Sequence, residues 1–181
     1  FERETKYSPD MLRQKLGGLV KVKRTWHRER RKERIDHTHF HRLSERDIEK
    51  IAKLLERYYE IGVRHKIALY LAGWGAKMNI HPLDISEIIR RLYLRKGDSE
   101  ARDRVLAILY SYAKAGHDVR KFEREIGKQW GVEVGFSKIS ADEEEVKGKS
   151  GIIEVISEAE PIEKAGFIVR KIDEIFSKSF R

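Results

Sequence analysis

Between residues 43 and 130 the apolar positions recur at intervals of three and four, which is the period of a helix packed on one face. Glycine or proline separates successive stretches of this pattern, so it divides into about five helices joined by short turns. Ser44 is placed to cap the first helix, and Pro82 suits the first turn of the third. The pattern predicts an all-α fold, a compact bundle of about five helices.

The second of these helices, over residues 64–77, is apolar on almost every side. No charged side chain interrupts the stretch from Ile67 to Trp74, and a helix of this composition belongs in the centre of a bundle. Gly73, Gly75 and the neighbouring alanines would let other helices approach closely, which would compensate for their weak helix propensity. We therefore expect Trp74 to lie in the core.

Residues 131–181 form an acidic appendage with a less regular pattern. Residues 132–139 alternate as in a strand and 152–156 form a short β-branched run, so the appendage could contain short strands. Pro161 then opens an amphipathic helix, whose apolar face would contain Ile162, Ala165, Val169, Ile172 and Phe176. We interpret 131–181 as an acidic loop and a C-terminal helix, docked on the bundle or leading to a following module.

The basic residues are concentrated in the N-terminal part of the chain. The 181 residues carry a net charge of +9, and the first 130 contain 31 Lys and Arg against 19 Asp and Glu. The densest run, Lys21 to Arg34, is interpreted as either a solvated linker or a strip that suits a nucleic-acid backbone. Residues 1–42 are accordingly predicted to be the basic linker or tail of a preceding domain, and a start without Met suggests a piece of a longer protein.

Composition also excludes several classes of protein. The chain has no Cys, which rules out a disulfide scaffold and a Cys-ligated metal site and fits a cytoplasmic location. No apolar run is long enough to span a bilayer, so no membrane partner is expected.

Candidate phosphate contacts begin with Arg64, His65 and Lys66 in the first turn of the apolar helix. Cations are unfavourable at a helix N-terminus, so either a nearby acid such as Glu60 or a bound phosphate should compensate. Further backbone contacts, with one stacking surface, are predicted from Arg90, Arg91, Arg95, Arg102 and Tyr110.

Other chemistry has little support in the sequence. His37, His39 and His41 could approach one cation if their segment were extended, but nothing completes a familiar metal pattern, so we predict no metal site. A structural or phosphate-contacting role for the three histidines is the alternative. No nucleophile elbow and no glycine-rich phosphate loop is present, so no catalytic residue is predicted.

Four features of residues 43–130 together resemble a known family. They are Gly62-x-Arg64-His65, the Leu-Ala-Gly-Trp of residues 71–74, the Gly97-Asp98 turn with Glu100, and Tyr112. The stretch resembles the helix-bundle domain that follows the catalytic domain in primase-polymerase replication proteins of archaeal plasmids and viruses.

The resemblance implies a non-catalytic module that binds single-stranded DNA template and helps to hold the initiating nucleotide, with ATP as a candidate ligand near Arg64 and His65. A primase-polymerase catalytic domain in cis would use Mg²⁺, and a helicase module could follow. Nothing in the chain matches the family's catalytic carboxylates, so no activity is expected from this chain alone. The alternative is a protein-interaction bundle that docks a helicase or another replication partner.

Overall fold

The computed structural model describes residues 40–135 and 146–180, and these residues contain seven α-helices rather than five. Their bounds are α1 Glu45–Glu56, α2 Arg64–Lys77, α3 Pro82–Arg95, α4 Ala101–Lys114, α5 Glu123–Trp130, α6 Lys149–Ser157 and α7 Ile162–Lys178. A short 3₁₀ helix, Val119–Lys121, precedes α5. The predicted all-α class is confirmed, and the five helices α1–α5 occupy the stretch where five were expected.

The signals that start these helices are local. The Ser44 hydroxyl accepts the backbone N–H of Asp47 at 3.1 Å, as its position predicts. At α3 the predicted Pro82 opens the helix, but His81 is the cap, because its Nδ1 accepts the backbone N–H of Leu83 at 3.1 Å. Histidine is not a favoured capping residue, so the sequence did not predict this role.

Helix α2 forms the centre of the bundle. Every residue from Ile67 to Ala76 is buried, and α2 packs against α3, α4 and α6. Trp74 lies in the core as predicted, with its ring edge-to-face on Phe176 at 5.1 Å between ring centroids. Helix α4 runs parallel to α2, since the Ser111 hydroxyl donates to the Leu69 carbonyl and the His117 ring reaches the Ala76 carbonyl.

Glycines set how closely the neighbours approach α2. A Cβ on Gly73 would lie 2.1 Å from Val146 Cγ1, and a Cβ on Gly75 would lie 2.6 Å from the Ile85 side chain. On α6, a Cβ on Gly151 would lie 2.4 Å from the Tyr70 ring. The close approach predicted for α2 is therefore real.

The C-terminal appendage is helical where strands were considered. The β-branched run at 152–156 lies inside α6, and residues 132–135 form no strand, whereas 136–139 lie outside the described residues. The buried residues of α6, Gly151, Ile152, Val155 and Ile156, follow a helical spacing and face α2. Burial against α2 thus outweighed the strand preference of β-branched residues.

Helix α7 packs on α6 and buries most of the face predicted for it. Ala165, Val169, Ile172 and Phe176 are buried, but Ile162 at the start of the helix is 63% exposed. The segment that joins α6 to α7 is tied to the end of α1, because the Tyr58 hydroxyl donates to Glu160 at 2.7 Å. Burial and that bond raise the pKa of Tyr58 to about 12.

Alanine substitutions of one glycine in α6 and one in α7 should change stability in opposite directions. Gly151→Ala should lower the free energy of unfolding by about 1–3 kcal/mol, because the added methyl overlaps the Tyr70 ring. Gly166→Ala in the middle of α7 should raise it by about 0.5–1 kcal/mol, because its Cβ would meet nothing within 4 Å. Urea denaturation of both variants measures the difference, and equal effects would contradict the packing of α6 on Tyr70.

The cap of α3 predicts a pH dependence. Burial, and then the charge of Arg42, lower the pKa of His81, so the folded state favours the neutral ring whose Nδ1 accepts from Leu83. The unfolded chain takes up this proton near pH 6.5, so the stabilisation is present above that pH and is lost as pH falls towards the lowered pKa. His81→Asn keeps a capping acceptor without the titration, and wild type should lose more stability than this variant between about pH 7 and pH 5. Both proteins are measured by urea denaturation across this pH range. If their free energies of unfolding change equally with pH, the pH dependence does not come from the His81 cap.

Candidate nucleic-acid interface

Arg64, the first predicted phosphate contact, is directed into the bundle. Its Nη2 donates to the Lys96 carbonyl at 2.8 Å, and its Nε donates to the Tyr59 carbonyl at 3.3 Å. Its Nη1 lies 3.9 Å from Asp98 Oδ1, and only 12% of the side chain is exposed. Compensation for this cation comes from Asp98 and two carbonyls, whereas Glu60, the acid considered from the sequence, pairs with Lys96.

Asp98 is the centre of a buried polar cluster. Its carboxylate accepts from the Tyr59 hydroxyl at 2.7 Å, from Arg104 Nε at 2.7 Å and from the backbone N–H of Glu100 at 3.1 Å. Burial alone would raise the pKa of Asp98, but the bonds from Arg104 and Tyr59 hold it below its usual value. The cluster joins the end of α1 to the start of α4.

His65 and Lys66 differ from Arg64. His65 Nδ1 lies 2.9 Å from Asp103 Oδ2 in the first turn of α4, and this contact lowers the pKa of Asp103. Lys66 is exposed and forms no ion pair within the described residues. The His65–Asp103 contact places the starts of α2 and α4 side by side at one end of the bundle.

The arginines of α3 are neutralised by glutamates. Arg91 donates to Glu45, Glu49 and Glu87, and these bonds raise its pKa although burial opposes the shift. Arg95 pairs with Glu49 and Glu56, and Arg90 pairs with Glu87. Three predicted phosphate contacts therefore form an ion-pair network that joins α1 and α3.

Tyr110, the predicted stacking surface, is half-buried on α4. The Lys114 ammonium lies 5.6 Å from the centre of its ring and donates to its hydroxyl at 3.3 Å. Of the predicted contacts, Lys66 and Arg102 present exposed cations without a carboxylate partner in the described chain.

A cleft of about 870 Å³ beside Arg102 was not predicted from the sequence. It lies between the start of α4, one face of α5 and residues 131–135, and Arg124 and Lys128 of α5 contribute two further cations. These two residues are four positions apart on an exposed helix face, and that spacing was the signal available in the sequence.

The histidine cluster is only partly visible. His37 and His39 lie outside the described residues, as do the run Lys21–Arg34 and residues 142–145 of the acidic loop. His41 pairs through its main chain with the strand-like segment at Asn79 and His81, and its ring packs on Phe180 at 4.2 Å between centroids. The described part of the chain contains no group of three residues able to hold a metal ion.

Comparison of the chain with protein-family models, curated proteins and solved structures found no match. Among the described helices, none has the length and apolar character needed to cross a membrane.

The buried cluster gives a stability prediction. Asp98→Asn should lower the free energy of unfolding by about 3 kcal/mol, because it removes the buried counterion of Arg104 and leaves only the part-exposed carboxylate of Asp103 beside it. Tyr59→Phe removes one hydrogen bond to the carboxylate and should lower it by about 1–2 kcal/mol. Urea denaturation ranks the two variants, and an Asp98→Asn effect no larger than that of Tyr59→Phe would show that the pair does not govern stability.

Proposed function

We propose that the bundle binds single-stranded DNA, as a non-catalytic module of a primase-polymerase replication protein. One observation carries the proposal: Lys66 and Arg102 lie exposed at the end where α2 and α4 begin together, without carboxylate partners among the described residues. The resemblance of residues 43–130 to the helix bundle of these replication proteins supports the same function.

The physical basis is the electrostatics of the two helix starts. Parallel helices point their N-terminal dipole ends in the same direction, and both ends favour an anion. Neither α2 nor α4 has a side-chain cap hydrogen bond, and α2 has no acidic residue in its first turn. Helix α4 has Asp103 in its first turn, so the negative charge is missing at α2, and a DNA phosphate near Lys66 would supply it there.

The proposal extends to the initiating nucleotide. Arg64 already donates to two carbonyls and His65 contacts Asp103, so Lys66 is the predicted contact that could still face ATP at this end. The catalytic domain in cis would supply Mg²⁺ and the polymerase chemistry.

A second candidate function, docking of a helicase or another replication partner, is favoured by the outer side of α7. Phe167 is 48% exposed there, and the Lys171 ammonium lies 5.3 Å from the centre of its ring. The inner residues of α7 are core residues, so Phe167→Glu is the variant that separates this function from DNA binding. If α7 is a docking surface, Phe167→Glu should no longer bind the helicase or other replication partner and should keep the affinity of wild type for DNA.

Fluorescence anisotropy with a labelled single-stranded oligonucleotide tests DNA binding. Wild type should bind at about 50 mM salt and bind more weakly at about 200 mM, because binding releases counterions from the phosphates. Each lost phosphate contact should weaken binding roughly tenfold at the lower salt. The double variant Lys66→Gln, Arg102→Gln, which removes two such contacts, should therefore bind roughly a hundredfold more weakly than wild type.

The matched control is Arg170→Gln, Lys171→Gln on α7, which removes the same two charges from another surface. Undetectable binding of wild type at low salt would refute the function. Equal losses in the two double variants would show that the start of α2 and α4 is not the binding surface.

A further inference from the structure

Three cations line the cleft beside α5, and none of them forms an ion pair within the described residues. Arg124 and Lys128 lie one helical turn apart, both exposed, and neither forms an ion pair in the described part of the chain. On the opposite wall, Arg102 Nη1 donates to the Glu133 carbonyl at 2.7 Å, which positions the guanidinium without cancelling its charge. This arrangement differs from α3, where each arginine is held by glutamates.

The acidic groups of the cleft do not balance these cations. Glu123 and Glu133 also line it, which leaves three cations against two carboxylates. Three like charges around one open volume repel each other, and a bound anion relieves this repulsion. The cleft therefore keeps a net charge of +1 with its cations exposed, which favours an anionic ligand.

The remaining lining indicates how such a ligand is recognised. Gly131 and Gly135 leave main chain accessible, whereas Gly127 is buried beneath the Val132 carbonyl, and Val132 and Val134 add apolar surface. None of the lining residues is aromatic, so the cleft has no ring on which a base could stack. Contacts here would be made to phosphates and sugars, which carry no sequence information.

The volume of the cleft limits the size of the ligand. About 870 Å³ is within the range of pockets that enclose one drug-sized molecule, so only a short stretch of a strand fits in the cleft.

We infer that this cleft holds the phosphate backbone of a short stretch of single-stranded DNA, independently of base sequence. The inference rests on the proposed function and deepens it, because it assigns a path for the strand from Arg102 along α5. Arg102 belongs to both surfaces, whereas Arg124 and Lys128 belong to the cleft alone.

The test is the salt dependence of binding in the 181-residue protein. Each phosphate contact to a single strand contributes about 0.7 to the slope of log affinity against log salt. Arg124→Gln, Lys128→Gln should therefore reduce the slope by about 1.4 relative to wild type, equally for oligo-dT and oligo-dA. The matched control is Arg46→Gln, Lys50→Gln on α1, the same residue types at the same spacing, and it should leave the slope unchanged.

The outcomes separate this inference from the proposed function. If wild type binds and the cleft variant keeps its slope, the cleft assignment is overturned while single-strand binding stands. If wild type does not bind at low salt, both fail. Equal affinity for a duplex, or competition by a mononucleotide as effective as that by a dT tetramer, would also overturn the assignment to a strand.

Discussion

The ion pair between Asp98 and Arg104 is the interaction on which the rest of the bundle depends. The two charges are almost completely withdrawn from water, and such a pair is stabilising only when its remaining donors and acceptors are satisfied. Tyr59, the main chain of Glu100 and the approach of Arg64 satisfy them. The pair thereby fixes the end of α1, the start of α2 and the start of α4 relative to one another, and with them the position of every cation at that end.

Periodicity was sufficient to predict most of the fold. The predicted bounds of α2 are those observed, because the helix is apolar all round and its glycines contact identifiable neighbours. The strand considered at 152–156 was wrong, because the strand preference of β-branched residues competes there with a helical spacing of buried residues, which prevails when the segment packs on α2. The sequence of the segment alone does not contain that information, since α2 lies elsewhere in the chain.

The candidate site was harder to predict for a related reason. Arg64, Arg91 and Arg102 look alike in sequence, but one contacts carbonyls and Asp98, one is held by three glutamates and one lines a cleft. Which carboxylate meets which arginine depends on the parallel pairing of α1 with α3 and of α2 with α4, and no local pattern reports that pairing. Three residues that support the family resemblance, Arg64, Asp98 and Tyr112, form hydrogen bonds inside the fold. These residues therefore indicate how the helices pack more directly than they indicate a ligand.

The contact between His41 and Phe180 brings together residues at the two extremes of the described bundle. The chain enters and leaves the bundle at one place, while the helices between form a closed loop. The two ends of the described bundle are therefore anchored at a common point, and a force that separates them would load this ring contact together with the core contacts of α7.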